Sequence, residues 1–95
     1  MESEIQQIVS ALVAYVLANP LACDTQDGIE RWWLSDCGQS SLAVAAALNW
    51  MVMKGYLQTA TAADGRVRFR RIATDDSLHS AFDELPRAQQ PPGVR

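Results

Sequence analysis

The stretch from Ser40 to Ile72 limits the possible folds of this chain more than any other part of it. It reads SSLAVAAALNWMVMKGYLQTATAADGRVRFRRI. Apolar residues recur at helical spacing in its first half and predict a helix that Ser40 caps and Gly55 ends, the glycine in a left-handed conformation. The predicted buried stripe of this helix consists of Val44, Ala47, Leu48, Met51 and Val52.

A β-hairpin is predicted directly after Gly55. Residues 56–61 include β-branched and aromatic residues, which favour strands, and Asp64-Gly65 is typical of a tight turn. Residues 66–72 then alternate between basic and apolar side chains. The alternation directs two sets of side chains to opposite faces of this strand: Val67 and Phe69 to one, and Arg66, Arg68 and Arg70 to the other.

A first helix is predicted over residues 4–18. Ser3 is its expected cap, and Asn19-Pro20 ends it because the residue before a proline avoids helical dihedrals. The apolar stripe of this helix consists of Ile5, Ile8, Val9, Leu12, Val13 and Val16.

A second helix is predicted over residues 25–34, after a connector at 21–24. Ile29 and Trp33 share one face of it by their i,i+4 spacing, and both are predicted to be buried. Trp32 is expected to be half-buried at a helix junction.

Three single positions around the second helix carry further predictions. Gly28 costs about 1 kcal/mol relative to alanine inside a helix, so we expect it to allow the close approach of another backbone. Cys23 and Cys37 are predicted to be free thiols, one or both buried. A short strand near Cys37 would add a third strand to the hairpin.

A fourth, shorter helix is predicted over residues 76–85, followed by a disordered tail at 87–95. Its apolar residues are Leu78, Ala81, Phe82 and Leu85. Since a helix of this length is marginal alone in water, it must dock on the domain or on a second copy.

The junction ALNWMVMKGYL, followed by ADGRVRFR, resembles the AL..L...G.L helix-to-strand junction and wing of bacterial winged-helix proteins. The resemblance implies a mainly α member of the α+β class: a three-helix winged-helix core with a β-hairpin wing and a short C-terminal helix. It places the winged-helix domain at 1–73, the C-terminal helix at 74–86 and the tail at 87–95. Most winged-helix domains bind DNA, but many bind proteins only. The fold therefore leaves both classes of partner open.

The composition is that of a soluble protein with one small domain, with 95 residues, 48% hydrophobic and 20% charged. The first residues, MESEIQQ, lack the basic segment of a secretory signal, and a cytoplasmic location is predicted. The sequence contains no GxGxxG, P-loop, HExxH or CxxC motif, and His79 is its one histidine. We therefore expect no enzymatic activity, no metal and no cofactor.

The net charge of −3 is unevenly distributed. The acidic residues before Lys54 are Glu2, Glu4, Asp24, Asp27, Glu30 and Asp36, against Arg31 alone. Residues 54–71 carry Lys54 and four arginines against Asp64. An anionic partner would therefore have to meet the hairpin.

The first functional hypothesis is a protein–protein contact, as an adaptor or as a homodimer, through the outward side of the helix at 41–53. Tryptophan is enriched at interface hot spots, and small or flexible neighbours make an adaptable apolar surface. The predicted interface residues are Trp50, Met53, Asn49 and Ala46, with Trp32 at the edge. The alternative is that Trp50 and Met53 fold back under the hairpin or the fourth helix and belong to the core.

The second hypothesis is a DNA-binding transcriptional regulator. Asn49 would read a base edge, the basic side chains would bind phosphates, and the fourth helix would dimerise. The predicted nucleic-acid-binding residues are Asn49, Lys54, Arg66, Arg68, Arg70 and Arg71. Against this stands a structural interpretation, in which the arginines protect an edge strand from aggregation or pair with acidic residues of the first two helices.

Overall fold

The computed structural model describes residues 2–34 and 40–84. In chain order the elements are α1 (Glu2–Ala18), β1 (Cys23–Asp24), α2 (Gln26–Gly28) with a π-helical turn (Ile29–Trp33), α3 (Ser41–Met53), β2 (Leu57–Thr61), β3 (Val67–Arg71) and α4 (Asp75–Ala81) with a 3-10 turn (Phe82–Glu84). The prediction of a mainly helical α+β chain is confirmed. No helix in these two ranges is both long enough and apolar enough to cross a bilayer.

The sheet is antiparallel, with the strand order β1-β3-β2. Its third strand is Cys23–Asp24, in the segment predicted as a connector, and not the stretch around Cys37, which lies outside the described residues. Cys23 pairs with Arg70, and Asp24 with Phe69. Two residues have no periodicity of their own, so this strand exists because β3 offers it a free edge. Cys23 is exposed and carries a free thiol.

Helix α1 ends at Ala18 as predicted, but it begins at Glu2, so Ser3 lies inside the first turn and is not the cap. The buried residues of α1 are Ile8, Val9, Leu12, Val13 and Val16, and Ile5 is partly buried against the same core. This stripe packs on α3, α4 and the π-helical turn, which makes α1 the central support of the molecule.

The prediction of one α-helix over 25–34 is wrong in its detail. Thr25 caps α2, its Oγ1 accepting from the Gly28 amide at 3.2 Å, and the chain then widens into a π-turn in which the Leu34 amide donates to the Ile29 carbonyl at 3.0 Å. Trp33 and Leu34 at the end of this turn are both buried.

Gly28 makes room for a side chain, not for another backbone as predicted. A Cβ at this position would collide with the carboxylate of Asp24. That carboxylate accepts a hydrogen bond from the Thr25 amide at 2.8 Å. The missing side chain of Gly28 therefore leaves room for the Asp24 carboxylate in the turn from β1 into α2.

Helix α3 follows its prediction closely. Ser40 Oγ accepts from the Ala43 amide at 3.1 Å, and Gly55 has a φ of +84° after the last turn. The buried residues are Ala43, Val44, Ala47, Leu48 and Met51, whereas Val52 is only partly buried. In the hairpin, Gly65 has a φ of +81° and its amide donates to the Ala62 carbonyl, as the predicted turn requires.

Helix α4 packs on α1 of its own chain. Thr74 caps it, and Leu78 and Ala81 are fully buried in the same core as the α1 stripe. Phe82 was predicted to be part of the apolar face, but it is 38% exposed because the chain tightens into a 3-10 turn at that residue. Leu85 and the tail predicted at 87–95 lie outside the described residues.

Candidate protein-contact surface

The outward side of α3 consists of two rows of residues at i,i+4 spacing. One row is Ser41, Ala45, Asn49 and Met53, and the other is Leu42, Ala46, Trp50 and Lys54. All of these residues except Trp50 are exposed. We call these eight residues the outer face of α3.

The outer face of α3 is apolar over most of its length. Leu42 is 85% and Met53 76% exposed, and no residue from Ser41 to Met53 is charged. Surface helices normally carry charged residues on the side away from the core. An uncharged helix with two long, exposed apolar side chains is therefore typical of a contact surface.

Leu42 is the residue of this surface that the sequence prediction missed. The signal was present, because Leu42 lies four residues before Ala46 and therefore on the same row. Ala46, Asn49 and Met53 lie where the prediction placed them, exposed on the outward side.

Trp50 lies at the border between the outer face and the core. Its ring is partly buried and contacts Tyr56, with centroids 5.9 Å apart at 43°. Lys54 Nζ lies 5.7 Å from the centroid of the same indole. The indole is thus neither wholly free nor enclosed, while Met53 is clearly outside the core.

The C-terminal end of the outer face is tied to the 3-10 turn. Lys54 Nζ lies 3.6 Å from Glu84 Oε1, and the hydroxyl of Tyr56 donates to the same oxygen at 3.2 Å. Burial raises the pKa of Tyr56, and Glu84 raises it further as acceptor and neighbouring charge. Both partners of the Lys54–Glu84 pair are about half exposed, so this ion pair contributes little to stability.

The N-terminal end of the outer face is acidic. Ser41 Oγ donates to Glu30 Oε1 at 3.0 Å, and the Ser40 amide donates to Glu4 Oε2 at 3.1 Å. Gln26 Nε2 bridges Glu30 and the Ser41 carbonyl at 2.8 and 3.0 Å. Carboxylates at this end complement the positive end of the helix dipole.

Trp32 lies apart from α3. It is 66% exposed, more than the predicted half-buried position, and it lines an open cleft of about 380 Å³. The other side chains and backbone around the cleft belong to Asp24, Thr25, Asp27, Gly28, Arg31 and Arg66. The structure therefore groups Trp32 with α2 and the turn end of the hairpin, and not with the other predicted interface residues.

The basic face of the hairpin, which we define as Arg66, Arg68 and Arg70, is partly satisfied within the chain. Arg68 Nη1 lies 3.5 Å from Asp64 Oδ1, and the Arg70 guanidinium donates to Gln58 Oε1 at 3.2 and 3.3 Å. A hydrogen bond from the Arg66 amide, with the neighbouring Arg68, lowers the pKa of Asp64.

The structural interpretation of these arginines needs correction. Strand β3 is paired on both sides only at Phe69 and Arg70, so the edge-protecting role is excluded for Arg70 and not for Arg68, whose neighbour is β2 alone. Their acidic partner within the described residues is Asp64 of the hairpin turn, and not a residue of α1 or α2.

Arg71 differs from the other arginines of β3. It follows Phe69 by two residues, so it lies on the inward face. Its guanidinium donates to the carbonyls of Val16 at 3.2 Å and Ala73 at 2.7 Å and pairs with Asp75. The side chain thereby joins β3 to the end of α1 and the start of α4.

Within residues 2–34 and 40–84, no three His, Cys, Asp or Glu residues are grouped as a metal site would require. His79 is exposed on α4. Comparison of the chain with protein-family models, with curated proteins and with solved structures gave no match.

Proposed function

We propose that this chain is a winged-helix domain. Two features support the proposal: the chain order α1-β1-α2-α3-β2-β3, and the sheet order β1-β3-β2, in which the strand between the first two helices pairs with the last strand of the hairpin. In such a domain α3 occupies the place of the recognition helix and β2–β3 that of the wing.

The proposed function of the domain is a non-catalytic protein–protein contact through the outer face of α3. The observation that carries this proposal is the exposure of Leu42 and Met53 on a helix without a charged residue. Burying such side chains at an interface contributes about 25 cal/mol for each Å² of apolar surface removed from water. Trp50, half-buried between Tyr56 and Lys54, adds a pre-positioned aromatic ring at the border of the same surface.

A site-specific photo-cross-linker tests this function in cells that produce the full chain. We expect p-benzoyl-phenylalanine at position 42 to form a discrete adduct with a protein. The matched control is position 67, since Val67 is also an exposed apolar residue but lies on the hairpin. No adduct from position 42, or the same adduct from both positions, would rule the proposed contact out.

The second candidate is nucleic-acid binding through the basic face of the hairpin. It is favoured by the alternation that places Arg66, Arg68 and Arg70 on one side of an exposed strand. The partners of Arg68, Arg70 and Lys54 within the chain weigh against it, as does the absence of charge from α3. Phosphate contacts give salt-dependent affinity.

A heparin column with a salt gradient tests the second candidate. Retention of the wild type that is lost in an Arg66→Ala/Arg68→Ala/Arg70→Ala variant would support nucleic-acid binding. Elution of the wild type without retention at low salt would rule out nucleic-acid binding through the basic face of the hairpin.

A further inference from the structure

The outer face of α3 is complementary to itself when two copies of the helix are antiparallel. In the antiparallel register that places Leu42 level with Met53 of the second copy, Ala46 lies level with Asn49 and Ala45 with Trp50. Asn49 and Trp50 therefore each meet an alanine, and the two long apolar side chains, Leu42 and Met53, meet each other. Alanines at a helix contact allow axes to approach to about 8 Å.

The charges at the two ends of this surface are complementary in the same register. Ser41 lies level with Lys54 of the second copy, and Ser41 Oγ is hydrogen-bonded to Glu30. The ammonium group of each copy therefore comes close to the Glu30 carboxylate of the other copy. The exposed ion pair of Lys54 with Glu84 is weak enough to be exchanged for this contact. A parallel arrangement would instead place Glu30 beside Glu30 and Lys54 beside Lys54.

We infer that the occupant of the outer face of α3 is a second copy of this chain, bound as an antiparallel α3–α3 dimer. This inference rests on the proposed contact function and names its partner. The two-fold axis passes between the two outer faces, at the level midway between Ala46 and Asn49. Such an interface is isologous, with the same residues contributed by both copies.

The size of the surface sets the strength of the dimer. Thirteen residues of α3 make a helix about 20 Å long, which by itself covers less than the roughly 800 Å² per partner of a standard interface. Association is therefore concentration-dependent. Analytical ultracentrifugation at protein concentrations between about 10 µM and about 1 mM should cover the monomer–dimer transition. The average mass should rise from 10.5 kDa towards twice that value.

Disulfide trapping tests the register. In a Cys23→Ser/Cys37→Ser background of the full chain, the Leu42→Cys/Met53→Cys variant should form a covalent dimer under mild oxidation, because its two cysteines lie level across the interface. The matched control is Leu42→Cys alone. In an antiparallel pair the two copies of residue 42 are about 16 Å apart along the axis, too far for a disulfide. Circular dichroism checks that each variant keeps the wild-type melting curve, as expected for substitutions at exposed positions.

A charge exchange gives a second, independent measurement of the same inference. Lys54→Glu should weaken dimerisation about two- to fivefold, and adding Glu30→Lys to it should restore the wild-type constant. Restoration is not expected if the two residues act only within one chain.

The outcomes separate this inference from the function on which it rests. A covalent dimer of the double-cysteine variant, without one from Leu42→Cys alone, supports the antiparallel dimer. Equal trapping of Leu42→Cys alone overturns the register, and a wild type that stays at 10.5 kDa throughout overturns the second copy as partner. In that last case, a position-42 adduct with a different protein leaves the proposed contact function standing, whereas no adduct removes both.

Discussion

Leu48 and Leu42 carry the same side chain on the same helix, yet one is 1% and the other 85% exposed. Met51 and Met53 repeat the contrast, at 0% and 76%. The inner and outer faces of α3 thus both carry leucine and methionine side chains, in opposite environments. A helix without a charged side therefore has two apolar surfaces, and the fold of one chain covers one of them.

The same contrast between neighbours of one type recurs elsewhere in the chain. Trp33 is buried and stacks on Tyr15, with ring centroids 4.8 Å apart, whereas Trp32 is exposed. The Arg71 side chain joins three elements, whereas the Arg70 guanidinium donates to Gln58 across the hairpin. Substituting both members of each pair separates the effect of residue type from the effect of position.

The largest expected effect is on the tryptophan pair. Trp33→Ala should lower the free energy of unfolding by about 3–5 kcal/mol, because it removes a buried ring and leaves a cavity. Trp32→Ala should change it by less than about 0.5 kcal/mol. Urea denaturation followed by circular dichroism measures both, and similar losses for the two variants would break the contrast.

The leucine pair should show the next largest effect. Leu48→Ala is expected to cost about 2–5 kcal/mol of unfolding free energy, and Leu42→Ala less than about 0.5 kcal/mol. Association should respond in the opposite way, with Leu42→Ala weakening it while leaving the melting curve unchanged. A stability loss at Leu42 as large as that at Leu48 would mean that the outer face belongs to the core.

The arginine pair tests whether the contrast also holds for charged residues. Arg71→Met should lower the free energy of unfolding by about 1–3 kcal/mol, because it leaves the carbonyls of Val16 and Ala73 without their donor. Arg70→Met should have an effect within about 0.5 kcal/mol. Chemical denaturation of both variants in the same buffer measures the two changes in unfolding free energy. Equal changes would contradict the structural role of Arg71.

The smallest expected effect concerns Tyr56 and depends on pH. Because burial and Glu84 raise the pKa of Tyr56 in the folded chain, its contribution to stability is present below the unfolded pKa of about 10 and is lost as the pH rises through the higher folded value. At neutral pH, Tyr56→Phe should cost about 1 kcal/mol, the usual contribution of one hydrogen bond.

Thermal melting of the Tyr56→Phe variant and the wild type from pH 7 to about pH 11 checks this prediction. The difference between the two should shrink at the alkaline end, because only the wild type loses the tyrosine contribution there. If the stability difference between the wild type and Tyr56→Phe stayed constant over the whole pH range, the ionisation of Tyr56 would not be linked to folding.

The parts of the fold that could be predicted from the sequence have local signals. The cap at Ser40, the left-handed Gly55 and the turn at Asp64-Gly65 are each specified by a few adjacent residues. Strand β1 could not be found in this way, because its two residues become a strand only by pairing with β3. The π-turn after α2, closed by the hydrogen bond from the Leu34 amide to the Ile29 carbonyl, was likewise not predicted.

For the candidate surface, the sequence predicted which side of α3 faces outward but not all that lies there. The i,i+4 spacing placed Ala46, Asn49 and Met53 correctly on the outward side. The same spacing also predicts an outward position for Leu42, four residues before Ala46. Trp32 is more exposed than the half-buried position predicted from its 100° offset from Trp33. The inward position of Arg71 could have been predicted, because it lies two residues after Phe69 on the same face of the strand. It was instead grouped with the other arginines of this basic strand as a nucleic-acid-binding residue.

The methyl spectrum of the methionines tests most directly whether the outer face of α3 is the contact surface. The chain has three methionines, Met1, Met51 and Met53. With ¹³Cε-methionine labelling, we predict that the Met53 signal shifts as the protein concentration is raised into the range of self-association, while the buried Met51 signal stays fixed. A Met53 signal that does not move while the sedimentation mass rises would show that the copies meet elsewhere, and would contradict the outer face of α3 as the contact surface.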